Sequence, residues 1–444
     1  MTDRNTVQPS LATLGASGWT VNPHYGKAPI RDMLLSPKYQ NVGVFRQCGS
    51  AVNAGQTVPS TRTFHICGTF PQEWDQVQLA IGSADTANTV QGLKAVFAPT
   101  ANFTDPKTPS GGLAAFRAIT WPTTGATLNV AVAPGANLWA WSLSDKMNAA
   151  GFASIARDDN PAYNLPAWML RIELPVGPGS YVYTNQATNA VTFNTDALTR
   201  GARLFQIFQP TDGVTTPANF TSVTEGNVSI AYALIFYCRG RIVSVAGFGD
   251  SIAGGSFSTG YALPSNFKMA GRLSVPGVFP INAFAGGWAG QTSVLALANA
   301  KATALAFHPH VAFYSPWSPN DGTLDATKVA TSLRQATDWI TYCRANDIVP
   351  GLTLPTPDNS ETITISNLKI GLRNALLAER SRGVLIADWW GAVAEFPGAN
   401  VNTGWGFKAG TFGDNIHPND AGYDLMDYAE AVAMSPLIAA NTYL

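Results

Sequence analysis

The chain has 444 residues, of which 46% are hydrophobic and 11% aromatic, and its net charge is −1. The apolar content excludes disorder as the main state, and the charge balance gives no basic surface for nucleic acid. Charged residues make up only 12%, about half of the usual ~25%, which favours a stable extracellular or virion-associated protein. The length predicts two or three domains.

The N-terminal segment, MTDRNTVQPSLATLG, is polar and lacks the basic-then-apolar pattern of a secretion signal. Either the protein is not exported by a cleaved signal, or the signal is not part of this sequence. No run approaches the ~18 apolar residues of a membrane span, so none is expected. Cys48, Cys67, Cys238 and Cys343 have no zinc spacing and predict buried thiols, with a Cys48–Cys67 disulfide as the alternative.

Before about residue 240, apolar residues alternate with polar ones. Alternation broken by Gly, Pro, Asn and Thr is typical of half-buried antiparallel strands. Residues 1–240 are therefore predicted to form an all-β domain, a β-sandwich or jelly roll. The clearest segments are WDQVQLAIGS from Trp74, ATLNVAVAP from Ala126, WMLRIELP from Trp168, and the series Val228, Ile230, Tyr232, Leu234 and Phe236.

After residue 240, short apolar runs alternate with helix-period segments. This pattern predicts an α/β domain over residues 241–444, with a parallel sheet covered by helices on both faces. Ligands bind at the carboxyl ends of strands in such sheets, so functional residues are expected there. The predicted strands are IVSVAGFGD, FPINAFAG, HVAFYSPW, IVPGLTLP and GVLIADWW, and the predicted helices cover residues 324–346, 362–380 and 420–435.

The first of these strands ends in Gly249-Asp250-Ser251. A serine at a sharp turn between a strand and a helix presents its hydroxyl at the sheet edge, and its N–H can face an anion. Far downstream, Asp414 lies three residues before His417, a spacing that lets the carboxylate hold the imidazole in one tautomer. The other ring nitrogen can then take a proton from a serine. Asp250 is interpreted as a turn residue.

Two further residues could stabilise an oxyanion. Gly290 follows the second predicted strand, and without a side chain its N–H can approach a substrate closely. Asn320 follows the third, and its amide can donate a hydrogen bond. Taken singly, a glycine turn and an asparagine cap are common. Asp321 is interpreted as a cap, and His308 and His310 as structural residues.

The order of these residues, at the ends of successive strands, resembles the SGNH (GDSL-type) hydrolase family over residues 241–437. The resemblance implies a three-layer αβα, flavodoxin-like sheet. Ser318 stands where the family has the glycine of Gly-x-Asn-Asp, so the turn is expected to survive if its backbone does not need a positive φ. The matching blocks are Gly249-Asp250-Ser251, Gly290, Asn320-Asp321, and Asp414 with His417-Pro418.

The resemblance also implies the role of each residue. Ser251 would be the nucleophile, and His417, oriented by Asp414, would act first as general base and then as general acid. The backbone N–H groups of Ser251 and Gly290, with the side chain of Asn320, would form the oxyanion hole. The reaction would be ester hydrolysis through an acyl-enzyme, with no metal or cofactor.

Relatives of this family include lipases, thioesterases, lysophospholipases and carbohydrate O-acetyl esterases, so the fold does not fix the substrate. The β-rich first half, residues 1–240, is then expected to have a carbohydrate-binding or cleft-forming role, and this half and the lack of a lid-like helix favour an acetylated glycan. Several tryptophans favour it as well, because indole faces stack on sugars. Trp288, Trp317 and Trp405 are the candidate substrate-binding residues, with core packing as the alternative. The competing functions are a lipid or general carboxylesterase, and a glycan-binding or phage tail protein with an inert hydrolase domain. The sequence carries no signal for oligomeric state.

Overall fold

The computed structural model describes two compact units. One comprises Asn41–Ile242 with Ser274–Asn282, and the other contains Val243–Leu273 and Ala283–Leu444. No helix of the described residues is long and apolar enough to cross a membrane. The described residues are 42–45, 51–53, 61–83, 91–101, 108–130, 138–152, 154–157, 164–175, 182–184, 204–209, 213–219, 228–229, 231–256, 265–274, 280–398 and 404–441.

The first unit is built from antiparallel strands. They are β1 (Val42–Phe45), β2 (Ala51–Asn53), β3 (Arg62–Thr69), β4 (Trp74–Ser83), β5 (Lys94–Pro99), β6 (Arg117–Ala118), β7 (Ala140–Leu143), β8 (Met147–Asn148), β9 (Ala167–Leu174), β10 (Val182–Thr184), β11 (Leu204–Gln209), β12 (Val228–Ser229) and β13 (Ala231–Cys238). Three sheets result, with the orders β1-β13-β4-β7, β12-β10-β2 and β11-β3-β9-β5-β6, while β8 pairs with β4.

Aromatic side chains join the two larger sheets of this unit. Trp74 of β4 packs edge-on against Phe97 of β5, with ring centroids 5.8 Å apart. Phe236 of β13 lies 6.3 Å from Trp168 of β9. All four rings are buried, so these contacts form an apolar layer between two antiparallel sheets, a packing driven by removal of large aromatic surfaces from water.

Three of the predicted segments form strands, but β9 and β13 are not half-buried, since Ala233 and Ile235 of β13 are buried as well as Leu234 and Phe236. The strand β9 is buried on both faces, because Arg171 and Glu173 are covered by the segment 213–219. Arg171 Nη1 donates to the carbonyl oxygens of Gly213 and Pro217 at 2.8 and 2.9 Å. Glu173 accepts hydrogen bonds from the backbone of the same segment. The series from Val228 is divided between β12 and β13, and its Ile230 lies outside the described residues.

The prediction of a strand in ATLNVAVAP is wrong over residues 126–130. Leu128 and Val130 are buried, as the alternation requires. However, Leu128 forms only an isolated bridge with Leu93, because the chain enters from a tight turn closed by hydrogen bonds between Trp121 and Gly125. Buried and exposed residues alternate in this segment, but it forms no ladder of hydrogen bonds with another strand. Residues 131–134 lie outside the described part.

The second unit combines a parallel sheet with helices. Its strands are β14 (Val243–Phe248), β15 (Ile281–Ala285), β16 (Val311–Tyr314), β17 (Val349–Thr353), β18 (Leu385–Ala387), β19 (Ala394–Glu395) and β20 (Gly406–Phe407). Its helices are α1 (Ser265–Leu273), α2 (Ser293–Phe307), α3 (Ala326–Ala345), α4 (Ile363–Leu377), α5 (Trp389–Val393) and α6 (Asp420–Asn441). All five predicted strands and three predicted helices are confirmed, whereas α1, α2 and α5 were not predicted.

The main sheet of this unit has the order β15-β14-β16-β17-β18. The pairs β14–β16, β16–β17 and β17–β18 are parallel. Numbered along the chain, this is the order 2-1-3-4-5 of flavodoxin-like sheets. Strand order reverses at β14, and ligands bind beyond the carboxyl ends of the strands at such a switch point. A binding or catalytic site is therefore expected among the residues that follow Phe248.

Helices cover both faces of this sheet. A side chain built on Gly247 would point at Asn266 of α1, whose Nδ2 would lie 2.9 Å from the new Cβ. The next residue, Phe248, packs against Trp339 of α3, with ring centroids 5.8 Å apart. Successive residues of a strand point to opposite faces, so α1 and α3 lie on opposite sides of the sheet. The three-layer arrangement implied by the resemblance is present.

Candidate active site

The turn after β14 places Ser251 at the carboxyl end of the sheet. The turn is closed by hydrogen bonds from the N–H of Gly254 to the carbonyl of Asp250 and from the N–H of Ser256 to the carbonyl of Ser251, both 2.9 Å. Gly249 permits this close path, because a Cβ there would lie 2.8 Å from the Cβ of Ala253.

Ser251, His417 and Asp414 form one hydrogen-bonded chain. Ser251 Oγ lies 2.9 Å from His417 Nε2, and His417 Nδ1 lies 2.9 Å from Asp414 Oδ2. The other carboxylate oxygen, Asp414 Oδ1, accepts the backbone N–H groups of Ile416 and His417 at 2.7 and 2.6 Å. The turn 414–417 therefore fixes both the carboxylate and the backbone of the histidine, and the structure brings the three predicted residues together.

Asp414 is electrostatically suited to orient an imidazole. Partial burial by itself raises the pKa of its carboxyl, but hydrogen bonds from His417 and from the N–H of Ile416 outweigh that effect. The net result is a pKa below its ordinary value, so the carboxylate is ionised at neutral pH. An ionised carboxylate on Nδ1 keeps the proton on that nitrogen, which leaves Nε2 as an acceptor for the serine hydroxyl.

The backbone N–H groups of Ser251 and Gly290 make no hydrogen bond within the described residues. Gly290 is exposed and has φ +76°, a left-handed conformation that glycine adopts without strain. Unpaired N–H donors are what an oxyanion hole requires.

Asn320 is exposed, and its Nδ2 lies 3.1 Å from both the carbonyl oxygen of Gln291 and Ser318 Oγ. Those two acceptors are themselves 3.0 Å apart. The three atoms form a nearly equilateral triangle, so the acceptors subtend roughly 60° at Nδ2, whereas the N–H bonds of an amide diverge by about 120°. One N–H therefore serves both acceptors in a three-centre bond, and the other remains available.

The residues read as turn and cap occupy those roles. Asp250 Oδ1 accepts the N–H of Ile252 at 2.9 Å. Asp321 closes a capping box with Ser318, whose φ of −135° confirms that the turn needs no glycine there. Nothing in the sequence indicates a contact between Ser318 and Asp250, in which the Ser318 hydroxyl donates to Asp250 Oδ2 at 2.5 Å. Burial raises the pKa of Asp250, and that hydrogen bond opposes the rise.

The three candidate tryptophans differ in exposure. Trp288 and Trp317 are each only 5% exposed, and the Lys369 ammonium covers the ring of Trp317 at 4.3 Å. Trp405 is half-buried and lies 5.5 Å from the ring of Phe396, which is 56% exposed. Of these three tryptophans, Trp405 alone is partly exposed, and it lies beside the exposed Phe396.

A buried ion pair lies behind Trp317. Lys369 Nζ contacts Glu361 Oε1 at 2.6 Å and donates to the carbonyl of Thr356 at 3.0 Å. Desolvation lowers the pKa of Lys369 and raises that of Glu361, while the pairing opposes both changes. Because both charged groups are distant in sequence from the four blocks, motif reading gave no indication of them.

Other polar candidates are structural. His310 Nδ1 accepts the N–H of Ser244 at 3.0 Å, and His308 ends α2 in a left-handed conformation. The buried Cys67 is a thiol that lies 3.1 Å from His65 Nε2, while Cys48 lies outside the described residues. Across the described part of the chain, no group of His, Cys, Asp or Glu residues could hold a metal ion.

No protein-family model and no curated protein matches the sequence. Solved structures do match. A member of the lipolytic protein G-D-S-L family from Veillonella parvula is 16% identical over 44% of this chain and 98% of its own, with a TM-score of 0.34. A GDSL-like lipase from Bacteroides thetaiotaomicron is 18% identical over 44% and 88%, with a TM-score of 0.32.

An acetylxylan esterase from Geobacillus stearothermophilus, a catalytic mutant, is 14% identical over 43% of this chain and 94% of its own, with a TM-score of 0.34. Likeness at this level supports no statement about substrate. Residues 241–437 thus resemble the SGNH (GDSL-type) hydrolases in their four sequence blocks, and two of the matched structures are described as members of the G-D-S-L family.

Proposed function

We propose that the chain is a serine esterase acting on short-acyl esters, with O-acetyl groups of a polysaccharide as the substrate class. Ser251 Oγ attacks the ester carbonyl while His417 Nε2 takes its proton. The tetrahedral oxyanion is held by the N–H groups of Ser251 and Gly290 and by the Asn320 amide. The alcohol leaves with the proton from the imidazole, and water then hydrolyses the acyl-enzyme by the same steps.

The observation that carries the proposal is the chain of contacts from Ser251 Oγ through His417 to Asp414, each 2.9 Å long. A serine hydroxyl is a weak nucleophile without an adjacent base, and the base needs a group that fixes its tautomer. The second requirement is a set of donors for the oxyanion, and the three unpaired N–H groups are suited to this role. Each preorganised donor is worth about 10²–10³ in rate.

The test is hydrolysis of p-nitrophenyl acetate, butyrate and octanoate by the wild type and by Ser251→Ala. Activity on acetate that is lost in Ser251→Ala, and kept in the matched control Ser256→Ala in the same turn, would support the mechanism. Turnover retained in Ser251→Ala would refute it. Activity that rises with acyl length would favour a lipid or general carboxylesterase, and no turnover on these esters or on acetylated glycans would favour an inert domain.

The glycan part of the proposal rests on Phe396 and Trp405. Their rings are 5.5 Å apart, and the hairpin that carries them contacts the histidine loop through Asn359. That residue accepts the N–H of Phe407 through Oδ1 and donates its own N–H to the carbonyl of Asn415. Exposed aromatic faces near a catalytic loop suit the apolar face of a pyranose ring.

Removing this aromatic surface should affect polymer turnover alone. Trp405→Ala is expected to raise KM for acetylated xylan at least about fivefold, the loss of roughly 1 kcal/mol of stacking. Hydrolysis of p-nitrophenyl acetate should be unchanged. Tyr428→Ala, which removes an aromatic residue that is 61% exposed on α6, is the matched control. Equal effects of both variants on xylan would count against a sugar subsite at Trp405.

For the first unit, the proposal is a β-sandwich with a glycan-binding role. The two antiparallel sheets that pack through Trp74 and Trp168 support the architecture. Trp139 and Trp141 stack at 5.4 Å over Gly82, and Trp141 is partly exposed. Retention on insoluble xylan of the full chain carrying Ser251→Ala, and its loss on adding Trp141→Ala, would support this role.

A further inference from the structure

Ser318 stands where the family pattern has a glycine, and its hydroxyl contacts residues of two of the four blocks and the residue that follows a third, Gly290. It donates to Asp250 Oδ2 at 2.5 Å and lies 3.0 Å from the carbonyl oxygen of Gln291. It also accepts from the backbone N–H and from Nδ2 of Asn320, both at 3.1 Å. One oxygen atom thus joins the turn before the nucleophile, the loop after Gly290 and the loop that carries the amide donor.

The hydroxyl caps the backbone N–H of Asn320, but the conformation of the backbone at Ser318 does not require it. Ser318 has φ −135° and ψ 143°, an extended conformation open to any residue, so no local strain selects serine over alanine. Nor does the hydroxyl serve to bind solvent, because Ser318 is 1% exposed and Asp250 is 3% exposed. A buried hydroxyl with this many partners is retained for the bonds that it makes.

The proton of the hydroxyl decides the direction of those bonds. A serine carries one O–H, and the carboxylate of Asp250 is both the charged acceptor and the closer one. With the proton directed at Asp250, the lone pairs of Oγ face Asn320. The amide is then held by one N–H, and its second N–H is directed about 120° away from that bond.

We infer that Ser318 is a positioning residue, whose hydroxyl couples Asp250 in the nucleophile turn to the Asn320 amide and so aligns the oxyanion hole. The inference rests on the proposed esterase function. Alanine at 318 would leave the amide with the Gln291 carbonyl as its single acceptor, free to rotate about that bond. An oxyanion donor must be fixed before the charge develops, because reorganisation during the reaction cancels its benefit.

The test compares kcat and KM for p-nitrophenyl acetate in the wild type, Ser318→Ala, Asn320→Ala and the double variant. Asn320→Ala should lower kcat by about 10²–10³, and Ser318→Ala by about 10-fold with KM within twofold. The double variant should match Asn320→Ala, because a residue that acts through Asn320 has no effect once the amide is gone. A purely structural role would instead lower kcat by the same factor in both backgrounds.

Ser315→Ala is the matched control, since it removes another buried hydroxyl of the same loop, one that is bonded to Thr353. Its kcat should stay within twofold of the wild type. Unfolding curves report whether each variant is folded. If Ser318→Ala does not fold, Ser318→Cys keeps the volume with a weaker donor and should show an intermediate kcat.

The outcomes separate the two proposals. A wild type without esterase activity overturns the proposed function and this inference together. An active wild type whose kcat is unchanged by Ser318→Ala, or falls by the same factor with and without Asn320, overturns the role of Ser318 alone.

Discussion

Because of Glu430, the stability of the second unit is expected to fall as pH rises. This residue of α6 is 1% exposed. Its Oε1 accepts hydrogen bonds from Ser265 of α1 at 2.5 Å and from Trp389 Nε1 of α5 at 3.2 Å. Its Oε2 has no partner among the described residues. Desolvation, reinforced by the nearby charge of Asp427, raises the pKa of this carboxyl from 4.5 to about 8, against the effect of the two hydrogen bonds.

The sign follows from proton binding. Between pH 4.5 and about 8, the folded protein keeps the proton on Glu430 while the unfolded chain loses it, so rising pH favours unfolding. At about 1.4 kcal/mol for each pH unit, the full effect is on the order of 5 kcal/mol. It is complete above the folded-state pKa. Glu430→Gln keeps the shape and an acceptor at this position but cannot ionise, so this pH dependence should disappear.

The assay is urea unfolding of the wild type and Glu430→Gln from pH 5 to pH 9, followed by tryptophan fluorescence. The wild type should lose several kcal/mol of unfolding free energy relative to the variant over this range. Glu379→Gln, which removes the same charge from a partly exposed site, should follow the wild type. Parallel pH profiles for the wild type and Glu430→Gln, within about 1 kcal/mol at all pH values, would refute the reasoning.

Three further changes test the site and its support. Gly287→Ala should abolish activity and lower the melting temperature, because its Cβ would lie 2.2 Å from the backbone nitrogen of Gly254, in the nucleophile turn. Asp414→Asn should lower kcat by about 10–10³, a smaller loss than that of Ser251→Ala. The reason is that the asparagine oxygen can still accept the backbone N–H groups of the turn. Equal losses of kcat in the two variants would contradict this. Lys369→Met should cost about 3–5 kcal/mol of unfolding free energy by leaving a buried carboxylate unpaired, and adding Glu361→Leu should restore most of it.

The strands of the second unit could be predicted because a parallel sheet is buried on both faces. Its strands appear as short continuous apolar runs, and each run from IVSVAGFGD to GVLIADWW contains a strand. The helix α2 escaped prediction for the opposite reason. Its sequence, SVLALANAKATALAF, is apolar on several sides, so no stripe of period 3.6 stands out. The helix α3 was found because its buried residues, including Trp339 and Ile340, recur at helical spacing.

In the first half of the chain, alternation showed which side chains point inward but not what covers the other face. Arg171 and Glu173 looked like the solvent-facing residues of β9. They are buried because residues 213–219 fold over them and satisfy both charges with backbone groups. A contact between segments so distant in sequence leaves no trace in a period-two pattern. A covering segment this distant in sequence can be recognised only from the structure.

At the site, residue order alone indicated Ser251 and His417, because successive strands bring their carboxyl ends to one edge. The same reasoning treated Ser318 as a tolerated departure from glycine. Its importance depends on a hydroxyl direction that only the neighbouring Asp250 and Asn320 define. Motif comparison weighs a substitution by size and backbone freedom, and it does not register a hydrogen bond that the family's usual residue cannot make.

The turn that carries Ser251 is fixed from several sides, while the N–H of Ser251 itself stays unpaired among the described residues. Tyr423 Oη lies 3.0 and 2.9 Å from the carbonyl oxygens of Ile252 and Ser256, both within reach of its single O–H, and a Cβ on Gly287 would meet the carbonyl of Asp250 at 2.8 Å. The N–H of Ser251, by contrast, has no acceptor within the described residues. Leaving a donor unsatisfied costs stability, and in the mechanism proposed above this donor binds the oxyanion that forms during the reaction. The rigidity of the turn keeps the N–H of Ser251 in a fixed direction.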